Sequence, residues 1–69
     1  MTAEEMFEKL GYERDYSNNG VIYKKNCSQI NNITFANDRK DIYMTNGYMD
    51  LKLFKAIQQQ IKELGWLDD

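Results

Sequence analysis

The chain has 69 residues, 42% of them hydrophobic, which is enough for one small domain with a single core and leaves no room for a second. Its 9 Lys and Arg against 11 Asp and Glu give a net charge of -2, so a polybasic duplex binder held by phosphate neutralisation is excluded. The absence of histidine and the single cysteine exclude a disulfide framework, the usual His/Cys zinc sites and a histidine-based triad, and no apolar run reaches the roughly 18 residues needed to span a bilayer.

A domain this short, without a staple, depends on strong local signals. The first one starts at once. Thr2 followed by Glu5 is a capping box, and Met1 with Met6 has the spacing of a hydrophobic staple. Ala3, Met6, Phe7 and Leu10 then make one helical stripe. Glu4 and Glu5 sit at the positive end of the helix dipole and Lys9 at the negative end. Gly11 is the expected left-handed stop, with Tyr12 placed to fold back on Phe7. Two early glutamates and the lack of a following apolar run argue against a signal peptide.

Residues 13–20 are polar and end in Ser17-Asn18-Asn19-Gly20, which reads as a loop entering a strand. Three runs rich in β-branched or aromatic residues follow, over 21–25, 31–36 and 41–45. The tetrapeptide Asn37-Asp38-Arg39-Lys40 turns the second run into the third. Pairing Phe35 with Ile42 also pairs Ile33 with Met44, so all four share one apolar face. Val21 and Tyr23 join that face, with Ile22 leaving the register of the first run open. Asn32, Thr34, Asp41, Tyr43 and Thr45 occupy the other face.

The last element is a helix capped by Asp50. Phe54, Ile57, Ile61 and Leu64 form its expected stripe, supported by Leu51, Leu53 and Ala56. Gly65 stops it, and Trp66 is placed to pack back on Ile61. The expectation is therefore an α+β fold of order αβββα, one domain over residues 1–69. A three-stranded antiparallel meander sheet carries both helices packed on one face and leaves the other face open.

Chemistry is sparse. Without histidine the available bases are carboxylates and lysines, and these fall at helix starts, in turns and at the C-terminus, so no enzyme, cofactor or metal site is expected. Asp15, Ser17, Asn19, Gly20 and Ile22 match part of an EF-hand loop. Position 12 of that loop is Asn26 where a bidentate Glu belongs, and a strand pattern replaces the second helix. Cys27 has no activating partner in sequence; a lone cysteine fits a reducing, cytoplasmic compartment.

The open sheet face is the expected interaction surface. Ile22, Lys24, Lys25, Arg39, Lys40, Tyr43 and Tyr48 are its candidate residues, with Tyr16 and Trp66 as further aromatic candidates. The leading expectation is a protein partner, a second copy of the chain included, because small sheets complete themselves through edges and free faces. The alternative is weak single-stranded nucleic-acid binding, in which Tyr43 stacks on bases beside Lys24, Lys25, Arg39 and Lys40.

The opening Thr2-Ala3-Glu4-Glu5-Met6-Phe7-Glu8-Lys9-Leu10-Gly11-Tyr12, the central Ile33-Thr34-Phe35, and the closing Lys55-Ala56-Ile57 and Glu63-Leu64-Gly65-Trp66 together carry a resemblance. The whole chain is similar to a group of small uncharacterised phage- and prophage-encoded proteins of Gram-positive bacteria. The shared residues are capping and core positions, so no catalytic or binding role carries over. What the resemblance implies is a bacterial, intracellular setting and an accessory role in contact with host or phage proteins.

Overall fold

The computed structural model describes residues 1–17, 20–25, 32–45 and 48–67. The elements in chain order are α1 (Ala3–Lys9), β1 (Tyr12–Ser17), β2 (Gly20–Lys25), β3 (Asn32–Ala36), β4 (Asp41–Met44) and α2 (Leu51–Glu63). All neighbouring strands pair antiparallel, in the order β1-β2-β3-β4.

The helix ends follow local capping chemistry. Glu5 N–H donates to Thr2 Oγ1 at 3.2 Å while Thr2 N–H donates to Glu5 Oε1 at 2.9 Å, which closes the capping box. At α2, Asp50 Oδ1 accepts from Leu53 N–H at 2.8 Å. The helix ends in a Schellman motif, with Gly65 at φ 73°, its N–H on Lys62 O at 3.1 Å and Trp66 N–H on Ile61 O at 3.2 Å. The Trp66 ring then tilts onto Phe35, 6.2 Å between centroids.

The three expected strands form, and Phe35–Ile42 and Ile33–Met44 pair as the alternation requires. Val21 and Tyr23 are the inward residues of β2, and Ile22 points to the other face. A fourth strand corrects the αβββα order to αββββα. The segment expected to be a loop is β1, whose Tyr12 and Arg14 lie across from Lys25 and Tyr23. Its charged letters mask the strand. Edge strands carry such residues because one side of the ladder meets water. The pairing of Ser17 with Gly20 closes the β1–β2 hairpin. Gly20 has φ 154°, and a Cβ there would sit 1.8 Å from the Phe35 carbonyl oxygen, so only glycine fits this approach of β2 to β3.

The second correction concerns α2. Phe54 and Leu51 do not enter the core; they are 48% and 66% exposed. The buried stripe is Leu53, Ala56, Ile57 and Gln60. A buried glutamine is tolerated because Tyr23 OH donates to Gln60 Oε1 at 2.5 Å. Gln60 shares the sheet-facing side of the helix with Leu53, Ala56 and Ile57, and Phe54 lies outside it.

Ala3 and Phe7 of α1 and Leu53, Ala56 and Ile57 of α2 enter one cluster with Tyr12, Val21, Tyr23, Ile33 and Phe35. Both helices therefore lie on the same sheet face. Phe7 stacks on Tyr23 with centroids 3.8 Å apart, and Phe35 meets both rings edge-on. Tyr12 folds back on Phe7 at 5.6 Å, as its place after Gly11 predicts. The helices run antiparallel: Ala3 N–H, at the start of α1, donates to Glu63 Oε2, at the end of α2, at 2.7 Å. This carboxylate satisfies one of the free amides of α1.

Candidate functional site

Strand alternation divides the residues selected from the sequence among separate places. Ile22 and Tyr43 share the outer sheet face, joined through Thr34 in one cross-strand row. Lys24 is on the same face in the neighbouring row. Tyr43 is 56% exposed. Arg39 and Lys40 occupy the exposed β3–β4 turn.

Lys25 does not belong with them. Successive strand residues point to opposite faces, so Lys24 and Lys25 cannot serve one surface. Lys25 is on the helical side, with Nζ 5.6 Å from the centroid of the Tyr12 ring. Tyr48 lies there too, lining a shallow depression with Leu10, Tyr12, Lys25, Asp50 and Leu53. Burial, with a smaller contribution from the negative charge of Asp50, raises the Tyr12 phenol above its ordinary pKa. Trp66 is half-buried against Phe35 and serves the core. Cys27 and the side chain of Tyr16 lie outside the described residues.

The outer sheet face is acidic, and its lysine, Lys24, is engaged. Lys24 Nζ is 3.1 Å from Asp15 Oδ2. Tyr43 OH donates to Asp41 Oδ2 at 3.1 Å, and that bond raises the phenol above its ordinary value. Glu13, Asp15 and Asp41 share the face with Lys24. Carboxylates next to the stacking ring and its cation repel a phosphate backbone.

The EF-hand reading fails on topology. Asp15 and Ile22 are cross-strand partners in a β-hairpin, and strand β2 runs to Lys25, where a calcium loop would lead into its second helix. Among the described residues, no group of three or more His, Cys, Asp or Glu is placed to hold a metal ion. No helix among them is long and apolar enough to cross a membrane.

The helical layer presents a different surface. An open groove of about 180 Å³ between α1 and α2 is lined by Met1, Met6, Lys9, Leu10, Lys52 and Lys55. A second depression continues from Met6 and Lys55 to Lys62 and Leu67. Lys9 Nζ touches the Met1 sulfur at 3.7 Å. Arg14–Glu4 and Lys24–Asp15 are ion pairs that use no groove lysine, and the charge of Lys9 is felt by Glu5 one turn earlier on α1. Sequence reasoning passed over this surface because Met6 and Leu10 were assigned wholly to the core. The available signal was the row Lys52, Lys55 and Lys62 along the outer side of α2.

Compared with known proteins, the chain matches no family model, and no curated protein or solved structure is significantly similar to it.

Proposed function

We propose that the chain is a non-enzymatic accessory protein of the bacterial cytoplasm, of the phage-encoded kind its sequence resembles, and that it acts by binding another protein through its helical layer. One observation carries this reading. The α1–α2 groove combines apolar walls with lysines that have no ion-pair partner among the described residues, whereas Lys24 and Tyr43 on the sheet face are already engaged by Asp15 and Asp41. Exposed apolar surface rimmed by polar groups is the usual mark of a protein contact.

The test is affinity capture with three baits: the wild type, Lys52→Glu/Lys55→Glu, and Lys24→Glu/Tyr43→Ala. A partner retained by the wild type and the sheet variant, and lost by the helix variant, supports the reading. A partner lost only by the sheet variant overturns it.

A second reading, weak single-strand nucleic-acid binding, rests on Tyr43 being exposed on the same open face as Lys24, two strands away. Labelled oligonucleotides titrated at two salt concentrations decide it, since phosphate contacts must weaken with salt. No binding at low salt removes it. Sedimentation of the free chain tests whether the partner is a second copy.

A further inference from the structure

We infer that the groove between α1 and α2 receives an acidic amphipathic helix of a partner protein, with one apolar side chain seated between Met6 and Leu10 and carboxylates facing Lys9, Lys52 and Lys55. This rests on the helical-layer reading above and adds the chemistry of the partner.

Size sets the apolar anchor. The groove, about 180 Å³ and open to solvent, has room for an aromatic or branched side chain. Its apolar walls are Met1, Met6 and Leu10, and methionine adapts to differently shaped anchors.

Charge sets the flanks. The lining contains Lys9, Lys52 and Lys55 and no carboxylate. Each lysine can lay its methylene stem along the apolar wall and keep its ammonium at the rim. Three ammonium groups lining one groove favour carboxylates on the segment that enters it. The basic character is local, since the whole chain carries a net charge of -2. A long polyanion such as duplex nucleic acid would meet the acidic remainder of the surface, whereas a short acidic segment would not.

Length sets the helical form. The two depressions share Met6 and Lys55 and follow α2 from Lys52 to Lys62. At ~1.5 Å per residue that is about 15 Å of helix axis, the length over which a docked helix presents anchors on successive turns.

The experiment uses the full chain, labelled with nitrogen-15, and follows its amide resonances. The main probe is a synthetic helical peptide of about 15 residues with leucine and phenylalanine along one face and glutamate beside them. Control probes are the same peptide with lysine for glutamate, the same peptide with alanine for the apolar residues, and vesicles of phosphatidylglycerol and phosphatidylcholine. The expected result is shifts confined to residues around Met6, Leu10, Lys52 and Lys55 with the acidic apolar peptide. Binding should weaken at least about tenfold in Lys52→Glu/Lys55→Glu, and again near 1 M salt, where charges are screened beyond roughly 3 Å.

Both substituted lysines are exposed, and the amide spectrum itself reports whether each variant remains folded; Lys52→Gln/Lys55→Gln should give an intermediate loss. Equal binding of the glutamate and lysine peptides, binding of vesicles in place of peptide, shifts centred on Ile22, Thr34 and Tyr43, or no shift at all would each overturn the proposal. If the acidic peptide fails while capture still depends on Lys52 and Lys55, the partner chemistry is wrong and the helical-layer reading stands. If both fail, the reading falls as well.

Discussion

Gly20 and the Tyr23–Gln60 pair show how much single side chains decide in a domain of this size. A Cβ at Gly20 would overlap backbone, and backbone cannot swing aside. Gly20→Ala should therefore destabilise the fold by roughly 2–4 kcal/mol, read from urea or thermal unfolding. Tyr23→Phe removes the hydroxyl that donates to the buried Gln60 oxygen and should cost about 1–3 kcal/mol. Adding Gln60→Leu removes the stranded acceptor, so the double variant should lose less than the sum of the single losses. Strict additivity in that cycle would mean the bond contributes nothing specific.

Tyr43 gives a titration signature of the outer face. Its hydrogen bond to Asp41 and the nearby negative charge raise the phenol, so its ring resonances should titrate above pH 10.0. A pKa raised in the folded state marks stabilisation present below the unfolded value and lost as pH climbs through the folded one. In Asp41→Asn the midpoint should fall back toward the ordinary tyrosine value. An unchanged midpoint would show that the Asp41 contact does not exist in solution.

At the scale of elements, the N-terminus of α1 carries its own pH dependence. Glu5 is held below the ordinary value of 4.5, first by the Thr2 backbone N–H and then by the Thr2 hydroxyl. A depressed carboxyl stabilises above its unfolded pKa, and that support is lost as pH falls through the folded one. The first turn of α1 should therefore fray in acid before the sheet does. Faster amide exchange at the start of α1 than in β2 and β3 as pH is lowered, after correction for intrinsic exchange rates, would show it. Simultaneous loss everywhere would contradict it.

Caps, turns and the β3–β4 register were legible in the sequence because they depend on neighbours a few residues apart. Thr2, Glu5, Gly11, Asp50 and Gly65 each act within one turn, and Phe35–Ile42 follows from alternation across a short connection. What escaped depends on partners far along the chain. β1 is a strand because β2 pairs with it; its own Glu13, Arg14 and Asp15 argue for a loop. The burial of Gln60 on the inner face of α2 goes with a partner distant in sequence, Tyr23, whose hydroxyl donates to it, while Phe54 stays outside. The interaction residues suffered the same way. Lys24 and Lys25 are adjacent in sequence and separated by the thickness of the sheet, and the groove exists only because α1 and α2 meet across the whole chain.

The whole molecule is a two-layer α+β domain whose layers have different electrostatic characters. Its outer sheet face is dominated by carboxylates, with Lys24 held by Asp15, while its helical layer exposes apolar side chains under lysines. Leu67, 70% exposed, extends that apolar character beyond the groove. From this contrast follows the proposed contact: the helices, and not the sheet, meet the partner. Hydrogen-exchange mapping of the complex with the captured partner tests this most directly. Slowed exchange along α1 and α2, around Leu10, Lys52 and Lys55, with β4 amides near Tyr43 unaffected, is the predicted outcome. Protection across Ile22, Thr34 and Tyr43 with the helices unchanged would contradict it.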